Sequence, residues 1–289
     1  MRILTRRASR RRVRCIRTIG AALGCVVCLV SFAPPALAQE KLSSSAPIGE
    51  NYHFEVSGSL WNPSFSGTVS SDQFGIIGTT IDFQKDLQFQ QTRFTDFRFV
   101  LRPAKKHKFR LQYTPMQYTS TTTFQRNIVF NGILYPVQLP VTSEFDWDVL
   151  RFGYEYDFLY MSRGYVGAFV EGRYTKFQTA LTSPVATEFA SARAPLPAFG
   201  FSGRGYVLPS VAINADLSMF NVNAFGLPTS LIKNTSANYY DLDINGTINF
   251  NNYVGVQIGW RRMTTALVID QDHGDLKFQG LWFGAAVRY

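Results

Sequence analysis

Leu150-Arg151-Phe152-Gly153-Tyr154-Glu155-Tyr156-Asp157-Phe158 carries a large apolar or aromatic residue at every even position, and Arg, Gly, Glu and Asp between them. Successive side chains of a β-strand point to opposite faces of the sheet. As a strand, this stretch has one apolar face and one charged face. A soluble sheet turns its apolar face to a core and its charges to water. A barrel in a membrane reverses this, with apolar residues facing lipid and polar ones facing the lumen. Nine residues do not separate the two arrangements; the rest of the chain must.

The pattern recurs on both sides of this stretch. Phe97, Phe99 and Leu101 oppose Asp96, Arg98 and Arg102, and Val166, Ala168 and Val170 precede Glu171 and Arg173. Val211, Ile213, Ala215, Leu217 and Met219 oppose Asn214 and Asp216. Leu242, Ile244 and Ile248 oppose Asp241, Asp243, Thr247 and Asn249, and Val254, Val256, Ile258 and Trp260 oppose Gln257 and Arg261. Candidate strands fall at 52–62, 91–102, 109–124, 138–158, 164–180, 196–207, 211–225, 238–250, 253–269 and 276–289. Connections alternate between short turns (103–108, 159–163, 208–210, 251–252) and mostly longer polar loops, the longest from Pro63 to about Gln90. That asymmetry belongs to outer-membrane barrels, whose long loops face outward. The expected fold is all-β: a transmembrane antiparallel up-and-down β-barrel of about ten strands, with eight or twelve as alternatives. The alternatives turn on Asn245-Gly246, a strong hairpin signal that would cut its segment into pieces too short to span, and which is therefore read as lying within a strand.

The charged faces predict a lumen network of Glu55, Asp96, Arg98, Arg102, Arg110, Arg151, Glu155, Glu171, Arg173, Arg204, Asp216, Asp241, Asp243, Arg261 and Arg288, with Asp157 on the same face as Glu155. The signs nearly balance, and unpaired buried ions are costly, so pairing across the lumen is expected. Such a network either fills a narrow barrel or lines a small solute or ion path. Aromatics near strand ends suggest girdles at the two membrane interfaces. Tyr52, Phe109, Phe158, Tyr253 and Tyr289 would lie on the side of the termini, and Trp61, Tyr118, Trp147 and Tyr239 or Tyr240 on the other.

Residues 1–38 have the organisation of a secretory signal peptide: eight arginines and no acid, an apolar stretch from Ile19 to Phe32, then Pro34-Pro35 and the small-residue site Ala36-Leu37-Ala38. Cleavage before Gln39 is expected, followed by a polar linker over 39–50 and the barrel over 51–289. The 14-residue apolar stretch is short for a spanning helix, which needs about 20 residues. Loosely lipobox-like Ala22-Leu23-Gly24-Cys25 and the twin-arginine-like Arg11-Arg12 are weaker readings. Of the 29 basic residues eight lie in this leader, and the other 21 nearly balance the 20 acids, so the net charge of +9 does not argue for a nucleic-acid partner. Cys15, Cys25 and Cys28 also lie there, which leaves the mature chain without disulfides, cysteine nucleophiles or thiolate metal sites.

The chain ends Leu281-Trp282-Phe283-Gly284-Ala285-Ala286-Val287-Arg288-Tyr289. Gly284, Val287 and the terminal aromatic Tyr289 resemble the β-signal by which outer-membrane proteins are read by the barrel assembly machinery, with Tyr in place of the more usual Phe. Together with the leader and the strand pattern, this ending resembles the small bacterial outer-membrane barrel superfamily, which includes OmpA-like, OmpW-like and opacity-protein-like barrels. Gly78-Thr79-Thr80-Ile81-Asp82-Phe83-Gln84-Lys85-Asp86-Leu87 looks like a first-loop segment of many such barrels. The resemblance implies Sec-dependent export, residence in the cell outer membrane of a Gram-negative bacterium, and contact with outer-membrane lipid and lipopolysaccharide.

Catalytic chemistry is weakly encoded. His107 lies in the basic turn Lys105-Lys106-His107-Lys108, His53 begins a strand, and His273 lies in Asp270-Gln271-Asp272-His273-Gly274-Asp275. Outer-membrane proteases of the omptin type also use about ten strands with Asp/His groups at the outer rim, but this spacing does not reproduce their motif, and an acidic Gly-containing hairpin is ordinary turn chemistry. No nucleophile elbow or phosphate-binding glycine loop is present. The expectation is a non-enzymatic envelope protein, structural or porin-like with a narrow channel, without cofactor or metal. The alternatives are a surface adhesion or ligand-binding protein acting through its loops, and, more remotely, a surface hydrolase using His273.

Overall fold

The computed structural model describes residues 46–71, 77–130, 132–138, 140–184, 187–221, 235–269 and 272–289. The signal-peptide reading (1–38), most of the linker, Asp270-Gln271 and the tail of the 211–225 segment lie outside the described residues.

Thirteen strands follow in order: β1 Phe54–Ser71, β2 Ile81–Asp82, β3 Phe94–Ala104, β4 His107–Thr123, β5 Ile128–Phe130, β6 Ile133–Tyr135, β7 Pro140–Met161, β8 Gly164–Thr182, β9 Thr187–Leu208, β10 Val211–Asn221, β11 Thr235–Asn249, β12 Val254–Ile269 and β13 Asp272–Arg288. Ten of them, all but β2, β5 and β6, pair antiparallel with their neighbours, and β13 returns to pair with β1, closing the barrel. The seam runs without a slip from Glu55↔Arg288 to Ser71↔Asp272. Where all ten strands are paired, closure leaves no free edge, as spanning hydrocarbon requires. Asn245-Gly246 lies inside β11, opposite Gly259 and Ile258, so the ten-strand expectation holds.

Most strands are longer than the segments expected from sequence. β7 and β9 have 22 residues each, whereas a tilted strand crosses a bilayer in about 9–11. The surplus projects on the side of the long loops, and its side chains obey the opposite rule. On β7 the outward residues Leu150, Phe152, Tyr154, Tyr156 and Phe158 are apolar or aromatic, and the inward ones include Arg151, Glu155 and Asp157. Further along the same strand Thr142, Glu144, Asp146 and Asp148 face outward while Val141, Phe145, Trp147 and Val149 are buried inside. β4 inverts in register with it: Tyr113 pairs with Leu150, and Pro115 with Asp148. β1 changes between Leu60 and Asn62, β12 between Trp260 and Arg262, and β13 between Gln279 and Leu281. Asn62 and Trp260 both pair with Leu281. The lower part of the barrel is thus apolar outside and polar inside. The upper part is a collar that is polar outside and apolar inside, as a soluble barrel would be.

This inversion corrects the outer girdle expected from sequence. Trp61, Tyr118, Trp147 and Tyr239 are buried inside the barrel. The outward aromatics at the change-over are Tyr113, Tyr174, Tyr240 and Trp260. On the side of the termini, Phe109, Phe158, Tyr253 and Tyr289 are exposed on the outside, but Tyr52 is buried.

Candidate functional site

The lumen is the natural place to look for a function, and it is built in layers. At the mouth nearest the termini the chain enters the barrel before β1 begins. Ile48 N–H donates to Pro209 O at 2.7 Å, Asn249 Nδ2 donates to Ile48 O at 2.8 Å, and Gly49 N–H donates to Asn252 Oδ1 at 3.0 Å. Gly49 has φ +79°, and a Cβ there would meet Arg288 and Asn249. Both features require glycine. Glu50 is buried, 3.3 Å from Arg102 and 3.6 Å from Arg204, and Arg102 Nη1 also donates to Glu50 O at 2.6 Å. Read from sequence as the end of a linker, Glu50 is here a counter-ion closing the mouth.

In the next layer Arg288 Nε donates to Glu55 Oε2 at 2.5 Å. Lys108 reaches Glu155 at 2.8 Å and Asp157 at 2.9 Å, with its ammonium 3.2 Å from the Tyr165 ring centroid. Arg110 bridges Glu155 at 2.8 Å and Asp216 at 3.0 Å, and Arg98 lies 3.4 Å from Asp216. Lys108, read from sequence as the last residue of a short basic turn, is among the most buried side chains. The alternation with Arg110 and Gln112 along β4 was the signal for it.

Higher up, Asp241 accepts from Arg151 and from Arg261. Asp96 accepts from Gln112 at 2.8 Å, from Thr114, and from Arg261 at 3.3 Å. Glu171 pairs with Arg173, which also donates to Ser218 at 2.7 Å. Asp243 accepts from Asn245 Nδ2 at 2.9 Å, and Arg204 Nε donates to Asn214 at 2.6 Å. Every residue of the network named from sequence thus faces inward, and most meet an opposite charge.

The polar layers end where Arg261 lies over Trp61 and Arg173 over Tyr239. Beyond that line the lumen is filled by an apolar plug. Phe65 stacks on Phe278 with centroids 4.5 Å apart and planes at 8°, and on Tyr118 at 4.8 Å. Met116, Phe145 and Trp147 complete the wall. The segment after β1 folds down into it, burying Ile81, Phe83, Leu87 and Phe89, and the β5–β6 hairpin adds Ile128, Phe130 and Tyr135. The two segments are stapled together: Thr79 N–H donates to Val129 O at 2.8 Å, and Arg126 donates to Asp86 at 2.6 and 3.0 Å. The Asp86 carboxyl is held below its usual pKa chiefly by the hydrogen bond from Arg126.

Two small cavities lie between the ion-paired layers. One, of about 30 Å³, lies among Glu55, Arg98, Lys108, Arg110, Glu155 and Arg204, and the other, of about 20 Å³, lies among Ser57, Asp96, Arg98, Asp243 and Arg261. A single water needs about 10–15 Å³, so the first has room for about two or three waters and the second for about one or two. His273 lies elsewhere, exposed on β13 opposite Ser70 and Val268, with no hydrogen-bonded carboxylate among the described residues. No metal-binding cluster occurs among the described residues.

A closed ten-strand barrel with an apolar outer band and a charged lumen defines the class: this is an outer-membrane β-barrel fold. No family model and no curated protein matches the sequence. Among solved structures the chain is similar to the outer membrane protease OmpT of Escherichia coli, with 8% identity, a TM-score of 0.55, and coverage of 85% of this chain and 99% of that one. It is also similar to Ail, the attachment invasion locus protein of Yersinia pestis (9% identity, TM-score 0.36, 80% and 99% covered). A third similarity is to the toluene transporter TodX of Pseudomonas putida (8%, 0.35, 82% and 90%). At these identities the likeness concerns the fold alone.

Proposed function

We propose that the chain is a non-enzymatic integral protein of the outer membrane, exported through the Sec route, and that it is a closed structural barrel rather than a channel. The observation that carries this reading is the filled lumen: Glu50 and its arginines at one mouth, ion-paired layers in the middle, and an aromatic plug at the other. Side chains held in reciprocal hydrogen bonds inside a low-dielectric barrel are stiff, which favours a packed core over a permeation path. The membrane assignment predicts heat-modifiable mobility on gels and co-fractionation with outer membranes. Planar-bilayer recording of refolded protein tests closure: no discrete conductance is expected, and steady unitary currents would overturn it.

A second reading has its own support. The collar and the stapled segments at 77–90 and 128–135 carry Ile77 and Leu134, both well exposed, beyond the lipid-facing band. This favours surface binding through the loops. Shortening the 77–90 segment should reduce attachment to host or neighbouring cells; unchanged attachment would count against it. Hydrolysis at His273 gains no support, because its side chain lies on the outer wall away from the polar lumen.

A further inference from the structure

The sequence holds two Asn-Gly pairs, Asn131-Gly132 and Asn245-Gly246. The second is a hairpin signal by itself, yet it lies inside β11. Asn245 is buried in the lumen with both ends of its amide held. Asn214 Nδ2 donates to Asn245 Oδ1 at 2.7 Å, and Asn245 Nδ2 donates to Asp243 Oδ1 at 2.9 Å. Gly246 pairs with Ile213 on β10 and with Ile258 on β12. Neither packing nor backbone requires glycine there. A Cβ on Gly246 would meet no atom within 4 Å, and its φ is not positive.

An Asn-Gly pair carries its own chemistry. The glycine nitrogen attacks the asparagine Cγ and closes a succinimide ring. The Cγ–Nδ2 bond breaks, and ammonia leaves with the proton that the attacking nitrogen gives up. Water then opens the ring at one carbonyl or the other, leaving Asp, or isoAsp with the main chain routed through Cβ. Glycine favours the first step because no Cβ shields its nitrogen. In the folded chain β11 opposes that step. An extended strand holds ψ at about +135°, and turning the Gly246 nitrogen toward Cγ would pull it out of the ladders on both sides. The amide itself is clamped between Asn214 and Asp243. The unfolded chain has neither restraint.

We propose that Asn245-Gly246 is a site of spontaneous covalent modification that the folded barrel suppresses, and that its products are excluded from the barrel. Chains that stay unfolded are thereby lost to folding irreversibly. The exclusion follows from the surroundings of Asp243. Among the described residues its carboxylate accepts a hydrogen bond from Asn245 and has no cation within 4.0 Å. Arg98 and Arg261, which line the same cavity, are paired with Asp216 and with Asp96 and Asp241. Deamidation replaces the donor facing Asp243 with a carboxylate oxygen. A buried hydrogen bond then becomes a contact between like charges, which is costly. The isoAsp product also adds a main-chain carbon, which upsets the alternation of faces on which the lumen depends.

The test uses the whole chain. One sample is held unfolded in mildly alkaline guanidinium chloride, and another is first refolded in micelles and held in the same buffer without denaturant. Peptide mass spectrometry reads the amide-to-acid mass gain at Asn245, with Asn131 in the unfolded sample as the calibrant for an unrestrained pair. Asn245 should convert as fast as Asn131 in denaturant, and more slowly by on the order of tenfold or more in the barrel, where conversion requires local opening. The aged chains are then diluted into micelles, and the heat-modifiable folded form is separated from the rest. Chains converted at Asn245 should be depleted from the folded form by on the order of tenfold or more, and Asn245→Asp should refold as poorly. Gly246→Ala should suppress conversion in denaturant, a comparison that does not depend on folding, and should still refold, because there is space for the Cβ. Equal conversion in barrel and denaturant, equal recovery of converted chains in the folded form, or parental conversion in Gly246→Ala overturns the proposal. Refolding of the fresh parent chain reports barrel formation separately, so failure of the membrane reading is distinguishable.

Discussion

Arg288, the penultimate residue, and Glu55, the second residue of β1, are register partners across the closing seam, and their side chains meet at 2.5 Å inside the lumen. The barrel's two end strands are joined by an ion pair as well as by the ladder. Arg288 also donates to Asn249 at 2.6 Å. Removing one member of a buried pair typically costs about 3–5 kcal/mol. Arg288→Leu should therefore lower the unfolding free energy of the refolded barrel, extrapolated from urea, by that order, and Glu55→Leu/Arg288→Leu by less. Refolding from urea into micelles, followed by tryptophan fluorescence, measures both without the assembly machinery.

Lys108 serves two carboxylates at once. Lys108→Met leaves Glu155 with Arg110 but leaves Asp157 without its cation. A loss of about 3 kcal/mol is expected, measured in the same unfolding assay. A variant as stable as the parent would show that Asp157 is neutral or solvated in the folded barrel.

The change-over line can be located by charge insertion. Phe152 faces outward within the apolar band, and Asp146 faces outward beyond it. An arginine on the lipid face costs about 2–4 kcal/mol near mid-bilayer and about 0–1 near the interfaces. Phe152→Arg should thus be strongly destabilising in vesicles and Asp146→Arg nearly neutral. Equal costs would misplace the line.

The Asp86–Arg126 staple titrates. The Asp86 carboxyl is depressed by its hydrogen bond from Arg126. Its contribution is therefore complete above the ordinary value of 3.8 and is lost as pH falls through the lower folded value. Arg126 is half exposed, so the pair is worth only about 0.2–1 kcal/mol. Limited proteolysis of the 77–90 segment should be unchanged from pH 8 to pH 5 and rise in more acid solution. Asp86→Asn should show the raised rate already at pH 7.

Ten strands, the inward charges and the intact strand through Asn245-Gly246 were legible because period-2 alternation is a local property of the chain. The plug was not. Phe145 and Trp147 alternate with acids just as Leu150, Phe152 and Tyr154 alternate with Arg151 and Glu155, so the two halves of β7 look alike in sequence although their apolar faces point in opposite directions. Glu50 and Lys108 were misplaced for a related reason: polar residues beside turns look solvated until the closed mouth is seen to cover them.

By itself the sequence determined which residues share a strand face, because backbone pleating forces alternation whatever surrounds the strand. Only the tertiary structure decided which face looks inward at each height. That choice depends on closure, on where the segments after β1 and β4 fold into the lumen, and on whether lipid or water lies outside. These are properties of the assembled barrel. A single change-over near Leu150 therefore makes one continuous strand part membrane wall and part soluble core.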